Sequence, residues 1–391
     1  MDFEFSREQK MVQKNVKEFA QKEIGPIAEE IDREDRFPSW IWKALGDLGL
    51  LGLGIPEKYG GSGMDILSFT LAVEQIAKVC PALAMSFVAH ANLCAHNLNR
   101  NGTEAQKKKY LPGLCRGDLI GCLGLTEPDI GSNAVGITTT AERIEGGFLI
   151  NGRKMLITNA PIADIALIYA KTDIEKGAKG ITAFLMEKKV QKFLASQSIE
   201  KMGNKGSPTG ELVFDNCRVP AENVLGQVDE GIKVMMNGLD TERVVVAGIS
   251  LGIGMASLEL ALKYAKARYQ FNQPISNFQL IKAKLADMYT EIEAARGLVY
   301  RAAVHADRAD RGGKGTEFHK LAGAAILFSA EAATRAASES LQIHGGYGYT
   351  MDYPINRFYR DAKLYEIGAG TSEIRRLLIA EEIIKKGVGW I

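Results

Sequence analysis

The stretch FLINGRKMLIT, residues 148–158, marks a change from helical periodicity to the alternation of apolar and polar residues that is typical of β-strands. Its Asn151-Gly152 pair predicts a two-residue hairpin turn. Three similar runs follow it: IALIYAKT at 165–172, ITAFLMEK at 181–188 and ELVFDNCRV at 211–219. Because helices of crossover length are missing between these runs, the pattern predicts an antiparallel β unit rather than a doubly wound sheet.

Helical periodicity lies on both sides of this β unit. Ser6 and Gln9 have capping-box spacing before the first helix. Beyond residue 230, helical blocks at 231–271, 276–310, 316–343 and 372–387 are separated by turns such as Gly312-Gly313. The sequence predicts an α+β multidomain fold: an N-terminal helical domain at 1–118, a middle antiparallel β domain at 119–230 and a C-terminal four-helix bundle at 231–391.

Composition narrows the class of protein. The 391 residues carry 48 Lys and Arg against 47 Asp and Glu, a net charge of +1, which argues against a nucleic-acid partner. The five cysteines include no CxxC pair, and no histidine has metal-ligand spacing, so neither disulfides nor a metal site are predicted. Because we find neither a signal peptide nor a membrane span, we expect a cytoplasmic protein.

Three glycine-containing stretches bear on ligand binding. VVVAGISLGIGMAS (244–257) resembles half of a dinucleotide fingerprint, but Ser257 stands at the third glycine position, which favours a helix with close-packing glycines. CLGLTEPDIGSNA (122–134) offers donors that suit a heteroaromatic ring, and QIHGGYGYT (342–350) offers backbone N–H groups to a phosphate. An ordinary turn and a helix end would explain the last two as well.

Two further stretches concern catalysis. In NGLDTERVVVAG (237–248), Asp240 and Arg243 are spaced to pair on a helix, and Glu242 runs into three valines, as a desolvated base would. A solvated helix face is the more common arrangement for such a glutamate. In LYEIGAGTSEIRR (364–376), small residues would let the backbone approach a ligand, but Ala369 has no group that could do chemistry.

The motifs TEPDIGS, KMLITN, RYQFNQPISNFQ, QIHGGYGY and LYEIGAGTSEIRR, in this order, resemble the acyl-CoA dehydrogenase family over essentially the whole chain. The resemblance implies a tightly bound FAD and removal of two hydrogens from the α and β carbons of an acyl-CoA thioester. A carboxylate takes the α-proton, and the β-hydrogen leaves as hydride to the flavin N5.

The position of the base follows from the resemblance. In many members it is a Glu directly before the GT of the C-terminal loop, where this chain has Ala369. In the isovaleryl-CoA dehydrogenase type, the loop is similar to GAGTSE and the Glu comes from an LDxER segment, which corresponds to Glu242. The resemblance therefore implies Glu242 as the base and a short branched-chain acyl-CoA, such as isovaleryl-CoA, as substrate.

The resemblance also implies binding residues. The residues implied for FAD are Leu125, Thr126, Ser132, Leu156, Thr158, Arg268, Phe271, Gln279, Gln342, Gly345, Gly346, Thr371 and Glu373. Those implied for the substrate are Ser132, Asp240, Arg243, Ala369 and Gly370. Two positions depart from the family: Leu156 stands where a Trp is usual, and Asn272 where a Gly is usual.

By family habit we expect a homotetramer, an electron-transferring flavoprotein as acceptor, and a role in degrading fatty, amino or alicyclic acids. The alternative substrate is an alicyclic acyl-CoA such as cyclohexanecarboxyl-CoA. A glutaryl-type enzyme is disfavoured, because PALAMSFVAHAN (81–92) lacks an Arg. From other classes, an NAD-linked oxidoreductase would require a strand at 243–247, and a noncatalytic helical scaffold would tolerate Glu242→Gln.

Overall fold

The structure, a computed structural model, describes residues 4–191, 193–310 and 318–389, so the predicted turn at Gly312-Gly313 lies outside the described residues. Helices occupy both ends of the chain and strands its middle, as predicted. π-Helical turns at Ala20–Ile24 and Ala89–His96 continue two of the N-terminal helices. These helices are α1 (Arg7–Phe19), α2 (Ala28–Glu34), α3 (Ser39–Asp47), α4 (Ile66–Ala77), α5 (Pro81–Val88), α6 (Asn97–Asn101) and α7 (Glu104–Arg116).

The predicted capping box at the start of α1 is confirmed. The Ser6 hydroxyl accepts a hydrogen bond from the Gln9 backbone N–H at 3.2 Å, and the Gln9 side-chain oxygen accepts one from the Ser6 backbone N–H at 2.9 Å. Two of the otherwise unpaired donors at the helix start are thereby satisfied.

The middle of the chain forms one sheet. Its strands are β1 (Gly121–Gly124), β2 (Thr140–Ile144), β3 (Gly147–Thr158), β4 (Ile165–Lys171), β5 (Ile181–Glu187), β6 (Leu194–Ala195), β7 (Thr209–Pro220) and β8 (Val224–Leu225), with α8 (Lys188–Gln191) after β5. They lie in the order β6-β7-β3-β2-β4-β5-β8, and β1 pairs with β4. Antiparallel pairing predominates, as predicted, but β1 and β4 run parallel, which the sequence did not indicate.

The hairpin predicted at Asn151-Gly152 is wrong. Both residues lie inside β3, and the turn that joins β2 to β3 is formed by Glu145 and Gly146. Gly152 sits at a bulge against β7, where an added Cβ would lie 2.6 Å from the Thr139 hydroxyl oxygen. The glycine therefore permits a close approach within a long strand rather than a chain reversal.

The C-terminal part contains the four predicted helical blocks and additional short elements. Its helices are α9 (Gly231–Ala267), α10 (Gln279–Asp310), α11 (Phe318–His344), α12 (Ile355–Ala362), α13 (Leu364–Ile367) and α14 (Ser372–Lys386). The first block is shorter than predicted, because β9 (Tyr269–Gln270) and β10 (Gln273–Pro274) form a small hairpin after α9. Residues 243–247 are helical, so the strand required by the NAD-linked alternative does not form there.

Helix α9 packs against α4 so closely at Gly252 that this position of α9 has no room for a side chain. A Cβ added at Gly252 would lie 2.5 Å from the Glu74 carbonyl oxygen and 2.7 Å from the Ala77 Cβ. The predicted role of the α9 glycines in close packing is thus confirmed. One buried apolar cluster includes Phe69 of α4 and Val245 of α9, so the N-terminal and C-terminal helices share a core.

By length and composition α9 could cross a membrane, but 78% of its most apolar window is buried inside the protein, as in the core helix of a globular fold. All five cysteines lie in the described residues and are buried and free. The predicted domain boundaries fall between elements, after α7 and before α9, and stay predictions.

Candidate active site

Glu242 is buried on α9, and its side chain is not on the solvated face that is usual for a glutamate. The residue is 6% exposed, and among the described residues its Oε2 atom has no hydrogen-bond partner. Burial raises the pKa of this carboxyl to about 7, although the positive charges of Arg243 and Arg375 oppose the shift. A carboxyl that exchanges its proton near neutral pH and has a free oxygen atom suits a general base.

A buried arginine donates hydrogen bonds to the backbone of the segment 364–371. Arg375, in the first turn of α14, donates from Nη1 to the Tyr365 carbonyl oxygen at 2.8 Å and from Nη2 to that of Gly368 at 2.5 Å. Ala369 follows with φ of 56°, a left-handed conformation that costs energy for any residue with a Cβ. The Thr371 hydroxyl then accepts a hydrogen bond from the Ile374 N–H and caps α14.

Asp240 and Arg243 form the predicted pair on α9, with Arg243 Nη1 2.7 Å from Asp240 Oδ1. The same carboxylate lies 2.7 Å from the Nδ1 atom of His319 on α11. This three-residue cluster joins α9 to α11, and the histidine was not predicted because no local spacing connects it to α9. The substrate contacts of Asp240 and Arg243 stay predictions.

A backbone hydrogen bond brings Thr126 next to Leu156, two residues implied for the flavin ring. The Thr126 carbonyl oxygen accepts a hydrogen bond from the Met155 N–H at 2.9 Å, next to Leu156. Beneath them, the Lys154 ammonium lies 2.8 Å from Glu127 and 3.3 Å from the Leu125 carbonyl oxygen. This buried ion pair fixes the start of the loop 125–132 to β3.

The Glu127 carboxylate also accepts hydrogen bonds from the backbone N–H groups and the hydroxyls of Thr138 and Thr139, at 2.6 to 3.0 Å. Burial disfavours its charge, but Lys154 and these donors outweigh burial and lower the pKa of Glu127. Glu127 and Lys154 were missed as site residues, although each stands in one of the motifs that carried the resemblance.

Leu156 lies at an irregularity between Lys154 and Ile157 of β3. Its φ is 59° and the residue is 58% exposed, so a large apolar side chain stands at the surface on strained backbone. Two residues further along the chain, Thr158 is half-buried, and in the separate loop 125–132 Ser132 is exposed. An exposed leucine side chain is suited to contact a planar ring.

A second group of residues implied for FAD lies around the α9–α10 connection. The Arg268 guanidinium stands 5.6 Å from the centre of the Tyr347 ring and joins the 268–279 and 342–350 motifs. Phe271 is 86% exposed, and an added Cβ at Gly345 or Gly346 would meet no atom within 4 Å. The side chains of this group are open to solvent: Arg268, Phe271, Gln279 and Gln342.

The departure at Asn272 is accommodated by the turn that it occupies. Phe271 and Asn272 form the two-residue turn between β9 and β10, with φ of 53° and 61°. Both central residues of such a turn take left-handed conformations, and asparagine tolerates this better than most residues. The turn therefore forms without the glycine that is usual at position 272.

The implied site residues thus fall into three groups within one chain. The sheet group consists of Leu125, Thr126, Leu156 and Thr158. The exposed group consists of Arg268, Phe271, Gln279, Gln342, Gly345 and Gly346. The group around Arg375 consists of Glu242, Ala369, Gly370, Thr371 and Glu373. The first two groups fit FAD, because they offer hydroxyls, an exposed apolar face and open glycines. No metal-binding group of His, Cys, Asp and Glu occurs in residues 4–191, 193–310 and 318–389.

Comparison with known proteins gives matches along nearly the whole chain. The models of the acyl-CoA dehydrogenase N-terminal, middle and C-terminal domains match residues 6–118, 122–217 and 229–384. Mitochondrial isovaleryl-CoA dehydrogenase of Solanum tuberosum is 47% identical over 384 residues, which are 98% of this chain and 92% of that protein.

Two solved structures show the same fold. A chain in the structure described as the electron transferring flavoprotein of Acidaminococcus fermentans has a TM-score of 0.95 and 39% identity, and covers 99% of this chain and 100% of its own. A chain in the structure of PigA with FAD and proline has a TM-score of 0.93 and 29% identity, with the same coverage.

Proposed function

Since this chain belongs to the acyl-CoA dehydrogenase family of flavin-dependent oxidoreductases, with FAD as cofactor, we propose that it oxidises a short branched acyl-CoA thioester, isovaleryl-CoA or a close relative, to the 2-enoyl-CoA. The observation that carries this proposal is the pairing of a buried, unpartnered carboxyl at Glu242 with an alanine at position 369.

Glu242 takes the proton from the substrate α-carbon. Its pKa of about 7 leaves a large share of the carboxyl ionised at neutral pH, and burial keeps this carboxylate a stronger base than one in water. When bound, FAD supplies the acceptor for the hydride that leaves the β-carbon. The C–H bonds at both carbons break, a double bond forms between them, and Glu242 ends the step protonated.

The residues of the sheet group and the exposed group hold the cofactor. Thr126 and Thr158 offer hydroxyls, Leu156 offers an apolar surface, and Arg268 brings positive charge to the end of α9. Glycines 345 and 346 leave room for phosphates to approach backbone N–H groups. Ser132, Asp240, Arg243 and Gly370 contact the CoA thioester in this proposal.

The acyl group is branched rather than long in our proposal. Ala369 carries only a methyl group where a catalytic Glu would fill space, and its neighbours Gly368 and Gly370 add no side chain. The name and identity of the Solanum relative favour isovaleryl-CoA. The same small residues leave a ring as the second candidate, cyclohexanecarboxyl-CoA, and a difference of one methylene is worth only about 1–3 kcal/mol.

For the electron acceptor we propose an electron-transferring flavoprotein, supported by the solved structure whose description names one. A homotetramer and a cytoplasmic location complete the proposal. The exposure of Phe271 and Gln279 supports the assembly, because solvent-open residues of a cofactor site are suited to completion by a neighbouring subunit.

The test is an anaerobic titration of the purified flavoprotein with butyryl-, isobutyryl-, isovaleryl- and cyclohexanecarboxyl-CoA, followed by the visible flavin absorption. We expect isovaleryl-CoA to bleach the band at the lowest concentration. Stronger bleaching by the cyclic thioester would replace the branched substrate with the alicyclic one. A flavoprotein that none of the four bleaches would overturn the proposed substrates.

A further inference from the structure

We propose that His319 is a positioning residue for the substrate, which holds the Asp240 carboxylate in the orientation that accepts a hydrogen bond from the pantetheine arm of the CoA thioester. This inference deepens the proposed function and rests on the contact proposed there between Asp240 and the thioester. No motif of the sequence assigns a role to this histidine.

The first observation is how the Asp240 carboxylate is held. The Nδ1 atom of His319 lies 2.7 Å from Asp240 Oδ1 and 2.9 Å from Oδ2, and Arg243 Nη1 donates to Oδ1 at 2.7 Å. Because an ionised carboxylate only accepts hydrogen bonds, Nδ1 of His319 carries the proton and donates it. Among the described side chains, His319 alone contacts both oxygens. It therefore sets the rotation of the carboxylate plane.

The carboxylate keeps room for a further donor. Its two oxygens offer about four acceptor sites, and within the described part of the chain Oδ2 takes part only in the contact with His319. The side chains of Asp240 and His319 are 17% and 23% exposed, whereas Glu242 is buried. A ligand on the open side of the cluster can therefore donate a hydrogen bond to Asp240.

The cluster lies on the same helix as the proposed base. At about 100° per residue in an α-helix, Arg243 stands between Glu242 and Asp240 around the circumference of α9. These three residues thus follow one another around the helix, and His319 of α11 borders the end that is marked by Asp240. A thioester beside Glu242 would extend its long arm along this surface.

The packing of the two helices does not require the contact between His319 and Asp240. Val245 of α9 and Leu321 and Ala325 of α11 are buried in one apolar cluster, which already joins the helices. A partly exposed contact between polar side chains adds little to stability. The histidine is therefore better suited to orient the carboxylate than to hold α9 and α11 together.

The chemistry of a carboxylate selects one part of the CoA molecule. An ionised carboxylate pairs with hydrogen-bond donors and repels anions. The phosphate groups of CoA are anionic acceptors, whereas its pantetheine arm carries amide N–H groups and a hydroxyl. The pantetheine arm therefore fits the open side of Asp240, and the phosphates do not.

The experiment uses the flavin-loaded full chain and the two nitrogen positions of the imidazole. His319→Asn keeps an N–H donor near the position of Nδ1, His319→Gln keeps one near Nε2, and His319→Ala keeps neither. His305→Gln, at a half-buried histidine of α10, is the matched control.

Two readouts separate binding from the reaction. Anaerobic stopped-flow reduction by isovaleryl-CoA and by isovaleryl-pantetheine gives the half-saturation concentration and the limiting rate of each variant. Calorimetric titration with CoA and with pantetheine measures binding where no flavin is reduced.

We expect His319→Ala and His319→Gln to raise the half-saturation concentration about five- to twentyfold for both thioesters, and to change the limiting rate by less than about twofold. His319→Asn and His305→Gln should stay within about twofold of wild type. A folded H319A protein with wild-type binding would overturn the inference. A loss confined to the CoA thioester, or weak binding by H319N beside normal binding by H319Q, would overturn it too.

A double-variant cycle with Asp240→Ala tests whether His319 acts through the carboxylate. We expect H319A to cost no further affinity in the D240A protein, because the group that it positions is already absent. An additional loss as large as the one in the wild-type background would overturn the positioning role. If H319A does not fold, the comparison of H319N with H319Q decides.

Failure of the proposed function gives a different result. If no thioester reduces the wild-type flavin, the proposed substrates are overturned, and the calorimetric titration with pantetheine then tests His319. Normal affinity in D240A would overturn the contact of Asp240 and the inference with it. Weakened binding in D240A beside normal binding in H319A would overturn only the role of His319.

Discussion

Glu242 lies among buried charges, whereas Leu156 lies on an exposed and strained part of β3. Around Glu242, Asp240 binds Arg243 and His319, and Arg375 donates to two backbone carbonyl oxygens, while the Oε2 atom of Glu242 itself has no partner among the described residues. Around Leu156 and Phe271, large apolar surfaces remain open. The difference teaches that one chain buries the proposed proton-transfer residue by itself, while it leaves the proposed cofactor surface open for a bound group to cover.

Both regions contain residues with a Cβ in the left-handed conformation, namely Ala369 in the first and Leu156, Phe271 and Asn272 in the second. Such conformations cost about 1–3 kcal/mol each and persist where the surrounding structure enforces them. In the first region, the hydrogen bond that Arg375 donates to the Gly368 carbonyl oxygen holds the residue before Ala369 in place. The second enforces Phe271 and Asn272 through the β9–β10 hairpin.

The largest expected effect is on the rate of flavin reduction, when the carboxyl of the buried region is removed. Glu242→Gln removes the proton acceptor but keeps the size of the side chain, so we expect flavin reduction to slow by at least about 10²–10⁴-fold with FAD retained. Stopped-flow reduction by isovaleryl-CoA measures this. The matched control is Glu259→Gln on the exposed face of the same helix, and equal rates in both variants would contradict the assignment.

The second effect is on the free energy of unfolding, when the buried Lys154–Glu127 ion pair next to the exposed region is broken. Lys154→Met leaves the Glu127 carboxylate buried without its cation, and removal of one partner of a buried pair costs about 3–5 kcal/mol. Urea unfolding followed by circular dichroism measures the loss in free energy of unfolding. Lys176→Met, at an ion pair with Asp229 in which the lysine is exposed, is the control, and we expect it to leave the free energy of unfolding nearly unchanged.

The third effect is the pH dependence of stability. The folded-state pKa of Glu242 is about 7, above its ordinary value of 4.5, because burial disfavours the charge. Its contribution to stability is therefore complete below about pH 4.5 and is lost as pH rises through about 7.

At about 1.4 kcal/mol per pKa unit, we expect the free energy of unfolding of E242Q to rise relative to wild type by about 2–3 kcal/mol between pH 5 and pH 8. Urea unfolding of both proteins at the two pH values measures the change. A difference that is the same at pH 5 and pH 8 would show that Glu242 titrates with its ordinary pKa.

The smallest expected effect is on the affinity for FAD, when an apolar side chain of the exposed region is shortened. Leu156→Ala keeps the backbone conformation but removes an exposed side chain, so we expect stability to change by less than about 0.5 kcal/mol. We expect FAD to bind about three- to tenfold more weakly, since the ring loses an apolar contact. Flavin fluorescence on release measures the affinity. Leu194→Ala removes another exposed leucine side chain, on β6, and should leave the affinity unchanged.

Local chemistry made some structural features predictable from the sequence. The capping box of Ser6 and Gln9, the helix through the α9 glycines and the Asp240–Arg243 pair all follow from residues a few positions apart. The order of helical and β-rich segments follows from periodicity. The resemblance then implied Glu242 as the base. The residues next to Glu242 in the sequence did not decide whether its side chain is buried or exposed.

Features that depend on distant residues were missed. The parallel pairing of β1 with β4, the Glu127–Lys154 pair and the contact of His319 with Asp240 join segments that are 27 or more residues apart. Asn151-Gly152 carried a strong turn signal, but the pairing of β3 with β7 and the approach of Thr139 made it the site of a bulge. In each case tertiary packing outweighed the local preference.

The contact of Gly252 on α9 with α4 also bears on synthesis at the ribosome. Helix α4 ends at Ala77. About 175 further residues must be translated before Gly252 of α9 is available to pack against it. At about 5–20 residues per second, that delay is roughly 10–35 s. During this time the face of α4 that α9 later covers is exposed on the nascent chain, and transiently exposed apolar surface of this kind is what chaperones protect.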